Sequence, residues 1–267
     1  MLPVHSAADG DPLAGGRIYV ARPDHHLLVE DGVLRLDSGP RENGHRPAID
    51  PSMRTAAAQH DGRVIAVVLS GTRDDGTAGA MAVRATGGRV VVQDPDDALF
   101  GDMPRSVLTH MAPDAVLPVA EIGAWLVAAA GEQAVHEGET TRMTDPAHPP
   151  PGEHAQGTRF TCPDCGGVLF EEKEGSLERF RCSVGHVYSP ESLLTEQEIK
   201  VEGALWAAVR SLEDRAELLD RLAAHATKRR QERVAARFQE QAHDVRTKAE
   251  TIRLALGFPV ADIDPAA

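Results

Sequence analysis

Residues 63–79 restrict the fold more than any other stretch. Arg63–Leu69 is a continuous β-branched and aliphatic run, the pattern of a strand buried on both faces. It leads into a turn rich in Gly and Asp. Residues 76–86 then read as a helix stopped by Gly87 and Gly88, and Arg89–Val92 is another short buried strand. Strand, turn, helix and strand in this order imply a parallel sheet with helices on its faces.

The flanking residues extend the pattern. Residues 17–36 read as a β-hairpin, with Arg17–Ala21 and Leu27–Glu30 as apolar stretches and Gly32 turning into Val33–Leu36. Residues 50–60 read as a helix with Asp50 as its N-cap. Residues 104–110 form a short helix with Pro104 in its first turn. Ala115–Pro118 is a last strand and Val119–Ala130 a closing helix. The first domain is expected over residues 1–130.

Residues 131–159 break this alternation. Pro146 and the run Pro149–Pro151 sit among Glu, His, Gly and Thr, a composition that reads as a flexible linker. Residues 160–189 follow with Cys162-x2-Cys165 and, after sixteen intervening residues, Cys182-x3-His186. Cys3His at this spacing is a closed tetrahedral set for Zn2+, and four protein ligands leave no open position, so the site is expected to be structural. The competing reading is reduced, unligated cysteines, and iron is the competing metal. A zinc ribbon this small would depend on the metal for folding.

Residues 190–257 show helical periodicity. Val201, Leu205, Ala208, Leu212, Ala216, Leu219 and Leu222 mix spacings of three and four, as do Val234, Phe238, Ala242, Val245, Ala249, Ile252 and Leu256. Two amphipathic helices are expected, joined near Lys228–Gln231 as an antiparallel hairpin, with 258–267 as a tail. The hairpin packs on itself, or its seam serves a helical partner or self-association.

Charge and cysteine usage bound the function. With 28 basic and 41 acidic residues the net charge is −13, which disfavours nucleic acid; Lys228–Arg230 is a short basic patch at a helix end. All three cysteines belong to the metal motif, so no disulfide framework remains. The first residues lack a signal peptide's basic and apolar regions, and the longest apolar stretch, Ala124–Ala130, is too short to span a membrane. A cytoplasmic address without membrane insertion is expected.

Five segments, ADGDPLAGGRIYVARPDHHL, NGHRPAIDPSM, VVLSGTRDDGTAG, GGRVVVQDP and MPRSV, follow one another within residues 4–127. In this order they resemble the catalytic domain of chemotaxis protein-glutamate methylesterases. The resemblance implies a doubly wound α/β sheet and a Ser-His-Asp triad. It also implies hydrolysis of glutamate methyl esters, and deamidation of glutamine, on chemoreceptors. Asp75 matches the family aspartate, which holds the imidazole in its tautomer and stabilises the imidazolium. The residues alone favour Asp75 as a cap of the helix that starts at Gly76, the five collinear segments reverse that preference, and Asp74 is a rival for the triad role. The family has Gly-Met-Gly before this aspartate, where a backbone N–H helps form the oxyanion hole; here Thr72 offers that backbone, and Arg73 alters the turn if its site needs φ > 0. His26 and His45 match polar positions that line or support the site, or are ordinary loop histidines.

The family's serine and histidine precede the segment matched here. Ser6, Ser38 and Ser52 do not follow a buried strand in a Gly-rich turn, and no histidine aligns with the base. The domain is therefore expected to lack its first strands, leaving an open sheet edge, with a start site lying upstream or a broken gene as the cause. This chain alone is expected to be inactive. The ribbon together with EQEIKVEGALWAAVRSLEDRAELL, residues 196–219, resembles a C-terminal extension of some methylesterase-domain proteins. The alternative function is a non-catalytic interaction protein built on the zinc ribbon and helices, with a vestigial esterase domain.

Overall fold

A computed structural model describes residues 2–60, 62–131, 156–174 and 176–257. β1 (Val4–Ser6) and β2 (Ile18–Val20) pair in parallel, Val4 opposite Ile18. β3 (His26–Glu30) and β4 (Val33–Asp37) form an antiparallel hairpin closed by Asp31 and Gly32, at φ 49° and 77°. The hairpin expected over 17–36 is thus only its second half. Asp-Gly with both residues at positive φ matches the strand twist, whereas the connection through Pro23 offers no such turn. Arg17–Ala21 contributes β2 to a separate pairing instead.

α1 (Ile49–His60) follows, then β5 (Ile65–Val68), α2 (Thr77–Ala85), β6 (Arg89–Gln93), α3 (Asp102–His110), β7 (Ala115–Leu117) and α4 (Val119–Gly131). β5, β6 and β7 form a parallel sheet in that order, Ile65 opposite Arg89 and Val91 opposite Ala115. Its core joins Ala66 and Val68 of β5, Val90 and Val92 of β6, Ala80 and Val83 of α2, Ala57 of α1 and Val107 of α3. β6 lies between two strands and is buried on both faces. β5 is not: it alternates, with Ile65 and Val67 half-buried, because β6 is its only strand neighbour among the described residues. Burial of β5 on both faces was expected from its composition, and an edge position overrides it.

Residues 132–155 of the expected linker, and the tail 258–267, lie outside the described residues. β8 (Gln156–Thr161), β9 (Val168–Glu174), β10 (Leu177–Cys182) and β11 (Val187–Tyr188) form an antiparallel sheet in the order β11-β10-β9-β8. Its core is Cys162, Leu169, Phe180, Cys182 and Tyr188, with Leu193 of α5 (Pro190–Lys228). Contacts divide the chain inside α5: residues 1–195 form one compact unit and residues 196–267 the other. All four sheets belong to the first unit.

In the second unit α5 runs antiparallel to α6 (Glu232–Ala255): Asp220 pairs with Arg246 and Glu213 with Arg253, so rising numbers on one helix meet falling numbers on the other. Ala216, Leu219, Ala242 and Val245 form its core with Leu212 and Phe238. The seam departs from the expected one at its ends. Val201, Leu222 and Val234 are exposed, while Val209, Ala223, Ala226 and Ala235 are buried. Alanines beside the connection let the helices approach closely, and the bulkier neighbours are turned outward.

Candidate functional site

The turn after β5 is held from below by backbone. Gly71 N–H donates to Phe100 O (2.9 Å), and Gly71 O accepts from Met103 N–H (3.1 Å). A Cβ on Gly71 would lie 2.0 Å from Met103 Sδ, so a larger residue would have to displace the Met103 side chain. Arg73 sits at φ 66°, so its position does need the left-handed conformation, and a side chain there costs about 1 kcal/mol. Gly76 follows at φ 98°.

Two carboxylates cross-cap two helices. Asp75 accepts from the backbone N–H groups of Ile49 (2.8 Å) and Asp50 (3.2 Å), at the start of α1. Asp50 Oδ1 in turn accepts from Gly76 (3.0 Å) and Gly79 (2.6 Å), at the start of α2. Both readings of these residues as caps of their own helices are corrected: each caps the other's. The close approach of α1 and α2 makes this possible, since a Cβ on Gly79 would meet Met53 Cβ at 2.6 Å. Burial, with the neighbouring Asp50 charge added, pushes Asp75 up to about 8. Burial likewise pushes Asp50 up to about 6, against the pull of Arg179 and Arg54. Both carboxyls are thus pushed toward the protonated form, by burial first and, for Asp75, by the Asp50 charge next to it.

Above the turn lies a cavity of about 650 Å³ lined by Thr72, Arg73, Asp74, Arg105, Ser106 and Glu191 among others. Thr72 is exposed at its wall. Asp75 is buried behind Asp74 and does not line it. Neither do His26 and His45. His26 is fully buried, its Nδ1 accepting from Ala48 N–H (3.2 Å) and its Nε2 donating to Pro40 O (3.0 Å), which makes it a neutral ring bracing the 40–48 loop. His45 is half-buried and donates its backbone N–H to Glu42 O (2.9 Å) in the same loop.

Glu42, which sequence reasoning passed over, is the centre of that loop. It is fully buried and meets Arg54 of α1 (3.0 and 2.5 Å) and Arg179 of β10 (3.0 Å). Burial alone would raise its carboxyl; the Arg54 and Arg179 charges outweigh that and hold it near 2. One buried carboxylate between two guanidiniums thus ties the antiparallel sheet to α1. No spacing rule links residues 42 and 179, so only the fold brings them together.

Cys162, Cys165, Cys182 and His186 place their ligand atoms within 4.8 Å of one another, a group that can hold a metal ion. Cys165 Sγ and Cys182 Sγ are 3.6 Å apart, and Cys182 Sγ lies 3.4 Å from His186 Nδ1. Each knuckle closes through its own backbone: Cys162 N–H donates to Gly167 O (2.7 Å) and Cys182 N–H to His186 O (3.0 Å). Gly166 and Gly185 supply the positive φ (73° and 108°). Around the group, Tyr188 donates to Asp164 Oδ2 (2.5 Å) and lies 3.6 Å from Cys162 Sγ.

Residues 1–126 match the CheB methylesterase family. A protein-glutamate methylesterase/protein-glutamine glutaminase of Paramagnetospirillum magneticum is 43% identical over 125 residues, 45% of this chain and 33% of that one. One from Rhodospirillum rubrum is 38% identical over 136 residues, 49% of this chain and 35% of that one. The chain thus spans about a third of the length of these curated relatives. The CheB methylesterase catalytic domain of Thermotoga maritima, a solved structure, is 34% identical, with a TM-score of 0.45 over 46% of this chain and 68% of that one. Through residues 1–126, this chain belongs to the CheB methylesterase family.

Proposed function

We propose that residues 1–126 supply the orienting carboxylate and part of the substrate cleft of a protein-glutamate methylesterase. The observation that carries this reading is Asp75, buried at the carboxyl end of β5 and fixed by two amides of α1. Ligands bind beyond the carboxyl ends of strands in such sheets. Each carboxylate oxygen accepts one amide and keeps a second lone pair, so Asp75 can also accept an imidazole N–H. An imidazolium beside it would draw its proton affinity down and leave it ionised.

In this reaction a serine attacks the methyl ester carbonyl while the histidine takes the hydroxyl proton and passes it to the departing methanol. Water then releases the glutamate from the acyl-enzyme by the same route. The serine and histidine come from outside the residues that match here. Backbone N–H of Thr72, on the cavity wall, would donate to the oxyanion. The substrate is a methylated chemoreceptor or a similar signalling protein.

The Cys3His group supports a second proposal, a zinc ribbon. Tetrahedral Zn2+ with bonds of about 2.3 Å to sulfur and 2.0 Å to nitrogen sets S–S and S–N separations of about 3.8 and 3.5 Å, close to those seen, with His186 binding through Nδ1. The four ligands Cys162, Cys165, Cys182 and His186 close the shell, so the metal would stabilise and not catalyse. With the ribbon goes an α-helical hairpin of α5 and α6. No helix among the described residues is long and apolar enough to cross a membrane.

The test uses the protein isolated from its own cells. Intact mass and N-terminal sequence define the species, and methanol release from methylated receptor reads its activity. Release by a species that carries a Gly-rich serine motif, and none by the 267-residue chain, is expected. A species with that motif that releases no methanol would favour the interaction-protein reading, with the bond of Ser192 to Asp74 holding the turn in a structural role.

A further inference from the structure

We propose that the Cys3His module positions the turn bearing Asp75, so that metal occupancy sets the conformation of Arg73–Asp75. The inference rests on the reading of Asp75 as the orienting carboxylate and of the four ligands as a metal site. Two short paths join the ligands to the turn. In the first, His186 is followed by Val187, whose carbonyl accepts Asn43 N–H (2.7 Å) and whose N–H donates to Arg41 O (3.3 Å). Asn43 O then accepts from Arg73 Nη1 (2.8 Å), the residue held at φ 66°. In the second, Tyr188 and Leu193 pack in one core with Cys162 and Cys182, which fixes the first turn of α5. There Ser189 N–H donates to Asn43 Oδ1 (3.2 Å), and Ser192 Oγ, fully buried, donates to Asp74 Oδ1 (2.5 Å).

The arrangement is selective. An arginine in a left-handed conformation relaxes unless something holds it, and Asn43 and Ser192 hold the residue itself and the one after it. Asp75 is the next residue, and its two amide partners lie on α1, which Glu42 ties to Arg179 of the same module. Asn43 and Ser192 are positioning residues: they act on the carboxylate through the turn. Without metal the geometry of the four ligands is lost; the first path begins at His186 and the second at Cys162 and Cys182.

Hydrogen exchange on the full 267-residue chain tests this, with zinc stoichiometry measured alongside. With one zinc bound, Ser192→Ala is expected to speed exchange of amides 72–76 about tenfold, the effect of one lost buried hydrogen bond, while amides of β5 and β6 stay unchanged. Asp74→Asn keeps the acceptor oxygen and should leave them protected. Chelation should reproduce the Ser192→Ala pattern and extend it to the amides of Ile49 and Asp50. Turn amides indifferent to Ser192→Ala in the zinc-bound chain would overturn the proposal, even where chelation unfolds the ribbon outright. A chain that takes up no zinc overturns both this inference and the zinc ribbon. Methanol release by the native protein judges the esterase reading independently.

Discussion

The exchange of carboxylates between Asp50 and Asp75 makes two residues of one type respond differently to one change. Asp75 uses both oxygens on amides, whereas the amides of Gly76 and Gly79 both reach Asp50 Oδ1. Asp75→Asn would turn an NH2 toward an N–H donor and leave it unpaired, at a cost of about 2 kcal/mol. Asp50→Asn keeps its acceptor and removes the repulsion. Both folded-state values are raised, so the pair's contribution to stability is complete below about 4 and is lost as pH climbs through about 6 and 8. Asp50→Asn should therefore be at least as stable as the parent at pH 8, by about 1 kcal/mol, with a flatter profile between pH 5 and 8; denaturant titration at several pH values reads both. Glu42 runs the other way. Its value is held near 2, so its contribution is present above about 4.5 and fades as pH falls toward 2. Glu42→Ala strands two buried guanidiniums and should cost about 3–5 kcal/mol in the same titration.

At the scale of elements, glycine and small residues decide what can touch. Gly76 combines φ 98° with a Cβ site 2.6 Å from Ile49 Cδ1. Gly76→Ala should lower stability by about 2 kcal/mol or more, and thermal unfolding of the variant checks it. The sequence made much of this scale legible. Gly87 and Gly88 stop α2 at Ala85, and the polar Lys228–Gln231 break falls between α5 and α6. The resemblance, which implies a glycine at residue 73, made positive φ there a conditional expectation, and φ 66° meets it. Pairing was less so. β2 prefers Val4–Ser6 to the neighbouring hairpin, and β5 pairs with β6 alone among the described residues, because strand partners depend on distant chain that a local pattern does not encode. The caps of α1 and α2 were misread for a related reason: an Asp beside a helix start names a cap, but not which helix it serves.

Across the whole chain, the first unit merges what composition divides. The Pro-rich stretch after residue 131 reads as a boundary, yet Glu42–Arg179 and Asp74–Ser192 join the residues on either side of it within residues 1–195. Ion pairs and single hydrogen bonds between residues more than a hundred positions apart leave no period in a sequence. The cysteine and histidine spacing, in contrast, is a local signal, and the four ligand atoms do converge. Loading the chain with Co2+ should give one equivalent bound, with absorption of tetrahedral thiolate ligation; Cys182→Ser should remove it and lower the melting temperature of the metal-loaded chain.

The central claim is that Asp75 orients the base of a methylesterase. Its most direct test is methanol release from methylated receptor by the species that carries the Gly-rich serine motif, isolated from its own cells and compared with its Asp75→Ala variant at equal folded concentration. A fall of about 10⁴-fold with substrate binding retained is the predicted result. Equal rates in the two proteins would contradict it and leave Asp75 as the cap of α1 alone.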